Sequence, residues 1–282
     1  MNNKIMLAGD THGDFANVKH KVDWAVKAGV QRIVILGDFG LWWGYRGVEF
    51  IDQINDYAKR NNRQIFAIPG NHENYTWWNA VVDASRESEQ TSHGWAYLRT
   101  HVLLSPRVHD FVWNGKQFVV AGGAVSIDKD WRVEYHRKKG KRIWHPDEQL
   151  TDAEVDALLS TRFGAGVPVD YLLTHDCSDM TDFKYRLKPD HDSVIHRRRI
   201  DRVLKGIKPR FHFHGHMHEK YDWVNDRVHG YSAFSNEFYD GPSTRTYGLE
   251  CNRDYNSWGI LDLDTDKFEF AAEVIRDLAP ED

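Results

Sequence analysis

Cysteine is scarce in this chain, and long apolar runs are missing altogether. The 282 residues include two cysteines, Cys177 and Cys251, too few for a disulfide framework or a cysteine-rich zinc motif. No window approaches the roughly 18 consecutive apolar residues that indicate a membrane-spanning helix. A signal-peptide stretch is also lacking, because residues 1–4 lead directly into a predicted strand. These features predict a protein of a reducing compartment, and we expect it in the cytoplasm.

An excess of basic charge is lacking as well. The net charge is -5 and the isoelectric point is near 6.3. Binding to a phosphate backbone or an anionic membrane rewards a basic surface, so the composition gives no sign of duplex nucleic-acid or membrane binding. No repeat or low-complexity linker divides the chain, and its length suits one large α/β domain. We therefore expect a single domain over residues 1–282, of undetermined oligomeric state.

What the chain does contain is five short polar strings, each preceded by an apolar run that predicts a strand. The strings are Gly9-Asp10-Thr11-His12-Gly13, Gly37-Asp38, Gly70-Asn71-His72-Glu73, Thr174-His175-Asp176 and Gly215-His216-Met217-His218. Loops that follow parallel strands meet at the carboxyl edge of a sheet, which is the usual ligand edge of α/β folds. We therefore expect these side chains to lie close together.

The candidate ligands are nitrogen and oxygen donors, with no thiolate among them. They are Asp10, His12, Asp38, Asn71, His175, His216 and His218. A pair of divalent ions about 3.5–4 Å apart needs a bridging carboxylate and donors on both sides. Imidazole with carboxylate suits manganese, iron, zinc and nickel, whereas an all-oxygen site suits magnesium or calcium. The set predicts two divalent metal ions in a hydrolytic centre, with manganese expected first, and argues against structural zinc.

The order of the strings resembles the calcineurin-like metallophosphoesterase superfamily, whose pattern is Asp-x-His, Gly-Asp, Gly-Asn-His-Asp/Glu, a lone His and Gly-His-x-His. The resemblance covers residues 9–218. It implies a four-layer αββα sandwich, an α/β fold with two mixed β-sheets and a two-metal site at the carboxyl ends of the strands. By position, one metal would be held by Asp10, His12 and His218, and the other by Asn71, His175 and His216.

The same resemblance implies roles for two further positions. Asp38 would bridge the two metals, and His72 would stabilise the transition state or protonate the leaving oxygen. Glu73 or Asp176 is then a candidate to orient His72 or a ligand imidazole. Taken alone, an imidazole after a strand is often only hydrogen-bonded, which is the simpler interpretation of His175.

One departure separates this chain from the Ser/Thr protein phosphatases of the superfamily. Their second motif continues as Asp-Arg-Gly, and its arginine grips the phosphate. Here Asp38 is followed by Phe39 and Gly40, and Arg46 comes later in an aromatic loop. Arg46 therefore remains only a candidate substrate contact.

Aromatic and basic segments near the motifs leave two interpretations open. Trp42, Trp43 and Trp77 are candidates to stack a nucleobase or another flat group, although the simpler interpretation is that bulky side chains anchor the long loops. Residues 126–132 are predicted as a loop leading to the basic segment 137–142. That segment either holds a phosphate-bearing substrate or is a solvated surface.

Hydrophobic spacing predicts the other elements. Helices are expected over residues 15–28, 50–60, 151–159 and 192–205, and a closing hairpin over 258–274 with its turn at 264–267. The histidines at 212 and 214 lie within the strand before the last motif, and we expect them to pack rather than bind metal.

The leading functional hypothesis is a phosphoesterase that acts on a phosphate-ester substrate, either a phosphomonoester or a phosphodiester, with nucleotides among the candidates. We expect in-line attack by hydroxide generated at the metals. The second hypothesis is a protein phosphatase or a nuclease, although the acidic net charge counts against a nuclease. The third is a scaffold that kept the fold and lost the chemistry, which the full ligand set disfavours.

Overall fold

The computed structural model describes residues 3–89, 91–161, 166–181, 191–225, 244–252 and 254–278. The strands are β1 (Lys4–Ala8), β2 (Arg32–Ile35), β3 (Gln64–Ala67), β4 (Thr91–Ser92), β5 (Trp95–Arg99), β6 (Val102–Leu104), β7 (Val108–Trp113), β8 (Lys116–Ala121), β9 (Tyr171–Thr174), β10 (Phe211–His214), β11 (Tyr221–Asn225), β12 (Thr244–Gly248), β13 (Trp258–Asp262) and β14 (Lys267–Phe270). The helices are α1 (Phe15–Lys27), α2 (Tyr45–Arg60), α3 (Tyr75–Glu87), α4 (Lys129–Lys139), α5 (Asp152–Leu159), α6 (His191–Ile207) and α7 (Ala271–Leu278).

The described strands form two mixed sheets. The first has eight strands in the order β14-β13-β1-β2-β3-β6-β5-β4, and the second has six in the order β11-β12-β10-β9-β8-β7. In the first sheet β1, β2, β3 and β6 are parallel neighbours, and in the second β12, β10, β9 and β8 are. Antiparallel strands complete both sheets at their edges.

The side chains of the central strands point alternately to the two faces of each sheet, and both faces are packed. In β1, Ile5 and Leu7 pack in an apolar cluster between the two sheets, which Phe118 of β8 enters from the second sheet. Met6 and Ala8 point the other way and pack in the cluster formed with α1, α2, α3 and α7. Successive strand residues face opposite sides, so an apolar strand serves both interfaces.

The second sheet repeats this arrangement. Val119 and Ala121 of β8 pack with α5 and α6 through Val155 and Ile200. The helices thus cover the outer face of each sheet, which confirms the expected four-layer αββα sandwich. Full burial of each such side chain contributes about 1.5–3 kcal/mol, so the three clusters hold the site-bearing strands firmly in register.

Most predicted helices are confirmed. Helices α1 and α6 occupy the expected stretches, and the capping box of α5 is present, with Thr151 and Glu154 bonded reciprocally. Helix α2 begins at Tyr45, five residues before the predicted start. The closing hairpin of β13 and β14 is present, but the prediction that it reaches Val274 is wrong, because α7 begins at Ala271.

The prediction of a loop over residues 126–132 is wrong from Lys129 onward, where α4 begins. None of its residues is buried, so it lacks the apolar periodicity by which helices are recognised. The basic residues of its last turn interact favourably with the helix dipole. Gly140 ends the helix in the left-handed conformation, at φ 65°. None of the described helices has the length and apolar character needed to cross a bilayer.

Candidate metal centre

The seven candidate ligands lie in loops at the carboxyl ends of five strands. Asp10 and His12 follow β1, Asp38 follows β2 and Asn71 follows β3. His175 follows β9 in the second sheet, and the last two candidates, His216 and His218, follow β10. The five strands are parallel within their sheets, so the loops converge at one end of the sandwich, as predicted.

One group of possible ligand atoms surrounds the carboxylate of Asp10, which is fully buried. Its Oδ2 lies 2.9 Å from Nε2 of His218 and 3.8 Å from Nε2 of His12. The three ligand atoms lie within 4.8 Å of one another, a spacing that a single metal ion can span. Asp10 also belongs to a second such group, with Asp38 and His175.

Asp38 stands between the two groups. Its Oδ2 lies 3.6 Å from Nε2 of His12, and its Oδ1 lies 3.4 Å from Nε2 of His175. The backbone N–H of His72 donates to Oδ1 of Asp38 at 2.8 Å, which orients the carboxylate. One carboxylate with an imidazole facing each oxygen is the arrangement that a bridging ligand requires.

His175 lies within reach of two other candidate ligands, Asp10 and Asp38. Its Nδ1 donates to the carbonyl of Leu36 at 2.7 Å, which leaves Nε2 facing the Oδ1 of Asn71 at 3.0 Å. The ring of His216 lies 4.9 Å from that of His175, and burial lowers the pKa of His216 to about 4. A neutral imidazole is the form that binds a metal.

The charge balance favours ionised carboxylates. Burial alone would raise the pKa of the Asp38 carboxyl, but His72 and His175 hold it well below its usual range. Two buried carboxylates that stay ionised beside several imidazoles make a donor set that fits divalent cations.

The backbone at this centre is strained. Four candidate ligands have a positive φ, namely His12 (49°), Asp38 (47°), His216 (61°) and His218 (52°). This conformation costs a non-glycine residue of order 1 kcal/mol and concentrates at functional sites.

Two motif glycines are needed for a different reason. A Cβ on Gly37 would overlap the ring of His175, and one on Gly215 would overlap the carboxylate of Asp10. Each glycine therefore makes room for a ligand from another motif, which explains why glycine precedes the ligands in these strings.

Glu73 and Asp176 take different positions. The carboxylate of Glu73 accepts from the backbone N–H groups of Phe39 and Leu41, at 2.6 Å and 2.9 Å, and so fixes the loop after Asp38. Asp176 accepts from Nδ1 of His196 at 3.1 Å and lies near the candidate ligand His216, whose pKa it raises against the effect of burial. Glu73 thus stabilises a loop, whereas Asp176 lies beside a candidate ligand imidazole.

Groups distant in sequence orient the candidate ligands instead. The Nδ1 of His12 donates to Oδ1 of Asn252 at 3.2 Å, and the carbonyl of Asn252 accepts from the buried Lys21 at 2.8 Å. Ser126 accepts from the carboxamide of Asn71 at 3.0 Å. The sequence does not predict these bonds because they join positions far apart in the chain.

The histidines at 212 and 214 pack inside the second sheet, as expected. Nε2 of His212 lies 2.8 Å from Oγ1 of Thr174, and Nδ1 of His214 donates to the carbonyl of Gly215 at 2.9 Å. Burial lowers the pKa of both side chains, which therefore stay neutral.

A cavity of about 590 Å³ opens beside the candidate centre. It is lined by His12, Trp42, Trp43, Gly44, His72, Trp131, Arg132, Lys141, Arg142 and Ile143. Two of the predicted substrate contacts, Trp42 and Trp43, thus lie beside the candidate ligand His12 and the candidate catalytic His72.

The other two predicted contacts lie elsewhere. Trp77 packs against the apolar cluster on the helix side of the first sheet, and Arg46 is exposed in the first turn of α2. Arg132 of α4 does reach the site, and its NH2 group lies 3.4 Å from Nε2 of His72. Sequence reasoning missed Arg132 because its segment was interpreted as a loop.

Comparison with known proteins agrees with this geometry. A family model described as calcineurin-like phosphoesterase matches residues 3–220. The fold is similar to that of the protein TT1561 of Thermus thermophilus, with TM-score 0.54, 12% identity and 95% of this chain and 98% of that chain covered. It is also similar to a dimetal phosphatase from Danio rerio, with TM-score 0.54, 13% identity and 93% of each chain covered. A search of curated proteins found no match. Since the family model spans most of the sequence, the chain belongs to the calcineurin-like phosphoesterase family, whose members are metal-dependent phosphoester hydrolases.

Proposed function

We propose that this protein is a phosphoesterase with two divalent metal ions, manganese first among them, and that it hydrolyses phosphomonoesters or phosphodiesters, including those of nucleotides. The observation that carries the proposal is the position of Asp38, whose two oxygens face imidazoles of two different ligand groups.

The donor set determines which residues would hold the ions. Asp10, His12 and His218 form one group around a buried carboxylate, and Asn71, His175 and His216 would form the other, with Asp38 shared. Ions bound there would supply hydroxide near neutral pH and neutralise charge on the phosphoryl oxygens.

His72 is suited to act on the leaving group. Its Nε2 lies 3.7 Å from Oδ2 of Asp38 and faces the cavity, and its side chain is partly exposed. A phosphoryl group at Asp38 would have a bridging ester oxygen within reach of His72, which would donate a hydrogen bond or a proton to it.

Arg132 is placed to stabilise charge. Its Nε is held by the carboxylate of Asp128 at 2.6 Å and its NH1 by the carbonyl of Ile143 at 3.1 Å. The guanidinium is thus fixed 3.4 Å from His72, where it would contact a phosphoryl oxygen without further ordering. It would do the work that an arginine of the second motif does in the protein phosphatases of the family.

The test is turnover of p-nitrophenyl phosphate and bis-p-nitrophenyl phosphate in the presence of manganese. We expect hydrolysis of at least one ester, its loss with a chelator, and its loss in Asp38→Asn. Preference for the diester would direct the search to oligonucleotides and cyclic nucleotides, whereas preference for the monoester would favour nucleoside monophosphates. No turnover of either ester with metal bound would contradict the proposal.

A further inference from the structure

The cavity beside the candidate centre has a basic lining. At its inner end are His12 and His72, and its outer wall carries Lys141 and Arg142, which follow the end of α4. Arg132 lies between these two ends, beside His72. Three side chains of the lining, those of Arg132, Lys141 and Arg142, are therefore cationic.

The charged side chains among the described residues of the cavity lining are all basic, and Asp128 pairs with Arg132 from outside the lining. Residues 128–142 as a whole carry seven Lys or Arg and three Asp or Glu. The net charge of the chain is -5, so this basic segment differs from the average surface. A local excess of cations in a cleft attracts an anion more strongly than scattered surface charges do.

The walls of the cavity are aromatic. Trp42 and Trp43 contribute from the loop after Asp38, and Trp131 contributes from the first turn of α4. The side chains of Trp42 and Trp131 are 39% and 59% exposed, which is unusual for indoles of a folded chain. Indoles exposed in a basic cleft are the arrangement that stacks nucleobases between phosphate contacts.

The position of His72 indicates which part of a substrate would occupy the cavity. A group that leaves phosphorus beside His72 departs into the space that His72 lines. The phosphoryl group would therefore lie at the end of the cavity formed by His12, His72 and Arg132, and the leaving group would extend along the rest of it.

We propose that the leaving group is a nucleoside that carries a second phosphate, an inference that rests on the proposed phosphoesterase function. Its base stacks on the cavity tryptophans, and its second phosphate contacts Lys141 and Arg142. Hydroxide forms the new P–O bond at the reacting phosphorus, the bond to the nucleoside oxygen breaks, and that oxygen receives a proton. The products are a phosphomonoester and a nucleoside phosphate, so the substrate class is a short single-stranded oligonucleotide.

The test compares thymidine dinucleotides with a terminal phosphate at the 5′ end, at the 3′ end, or at neither end. We expect one phosphorylated form to have a kcat/KM about 10-fold above that of the form without one, the size of a good charge-assisted contact. Lys141→Ala/Arg142→Ala should abolish this preference. The matched control Lys138→Ala/Lys139→Ala removes the same charge from residues that do not line the cavity and should keep it.

Base stacking has its own test. An abasic analogue with the same phosphates should have a kcat/KM about 10-fold lower than that of the dinucleotide. The loss of one base that stacks on an aromatic side chain typically weakens binding by about this factor or more. Trp131→Ala should remove the difference between the two, whereas Val133→Ala, an exposed position on the same helix outside the cavity lining, should retain it.

Turnover of bis-p-nitrophenyl phosphate distinguishes the two proposals. If the protein hydrolyses this ester but does not discriminate among the dinucleotides, the oligonucleotide assignment is wrong and the phosphoesterase function stands. The oligonucleotide assignment would also be wrong if Lys141→Ala/Arg142→Ala and Lys138→Ala/Lys139→Ala reduced the preference for the terminal phosphate equally. Faster hydrolysis of a phosphopeptide than of any dinucleotide would overturn it as well. Hydrolysis of none of these esters with manganese present would overturn both proposals.

Discussion

The carboxamide Nδ2 of Asn71 donates a hydrogen bond to Oγ of Ser126 at 3.0 Å, across 55 positions of sequence. Ser126 in turn donates from its hydroxyl and its backbone N–H to the buried carboxylate of Glu148, at 2.6 Å and 2.9 Å. This chain fixes which end of the Asn71 amide faces the centre. The oxygen, which is the end that binds a metal, lies 3.0 Å from Nε2 of His175.

We predict that Ser126→Ala weakens manganese binding about 10- to 100-fold, the usual effect of losing a group that orients a ligand. Calorimetric titration with manganese measures the change. Ser105→Ala is the matched control, because Ser105 is also buried and its hydroxyl has no hydrogen-bond partner among the described residues. Equal manganese affinities in the wild type and Ser126→Ala would show that the hydrogen bond from Asn71 to Ser126 does not contribute to metal binding.

Replacement of His72 by alanine should lower kcat about 10²–10⁴-fold, the range for loss of an acid–base group, while metal content stays unchanged. Steady-state kinetics and metal analysis of the same preparation measure both quantities. His136→Ala, an exposed position on α4, serves as the control. Loss of metal from His72→Ala would instead identify His72 as a ligand.

Metal binding should release protons. Burial disfavours the charged form of His175, but the carboxylates of Asp38 and Asp10 outweigh it and raise its pKa to about 10. The hydrogen bond to Asp10 likewise raises the pKa of His218 to about 10. At pH 7 both imidazoles are therefore protonated before an ion displaces those protons, and affinity falls as pH falls.

Calorimetry at pH 7 in two buffers of different ionisation enthalpy tests this prediction. The apparent binding enthalpies should differ by an amount that corresponds to more than one proton released per chain. Identical enthalpies in the two buffers would show that the imidazoles are already neutral.

Lys21 should stabilise the loop that contains Asn252, the hydrogen-bond partner of His12. It is buried, and its Nζ donates to Asn17, to the carbonyl of Asn252 and to Oγ of Ser257. Lys21→Met removes all three of these hydrogen bonds and leaves the buried side chain of Asn17 without this donor, while the carbonyl of Asn252 keeps the hydroxyl of Ser257, so we expect the free energy of unfolding to fall by about 1–3 kcal/mol at pH 9. Urea denaturation measures this change, and the exposed Lys27→Met on the same helix is the control.

The difference in stability between the wild type and Lys21→Met should also depend on pH. Burial lowers the pKa of Lys21 to about 7, below its value in the unfolded chain, so the unfolded state binds more protons between pH 7 and about 10. The stability of the wild type relative to Lys21→Met should therefore rise with pH across this window, by at most about 1.4 kcal/mol per unit. A difference that is constant from pH 7 to pH 9 would contradict the lowered pKa.

The part of the site that sequence could predict is the part that consists of local motifs. Asp10 and His12 are two positions apart after an apolar strand, and the parallel neighbours of that strand carry the next ligands, so their convergence follows from strand order alone. The helices predicted from sequence, such as α1, have a buried face, although α3 also has one and was not predicted.

What sequence could not predict depends on contacts between distant segments. The bond from His12 to Asn252 joins positions 240 apart, and the approach of Arg132 to His72 joins positions 60 apart. Helix α4 buries none of its residues, so no periodic pattern revealed it, and Arg132 and Trp131 were assigned to a loop. Trp77 was placed near substrate because it follows a motif, yet it packs on the core.

The central claim is that Asp38 joins two metal ions, and anomalous diffraction from a crystal grown with manganese tests it most directly. We predict two anomalous peaks about 3.5–4 Å apart on either side of the Asp38 carboxylate, and loss of at least one peak in Asp38→Asn. A single peak, or two peaks that persist unchanged in Asp38→Asn, would contradict the two-metal centre.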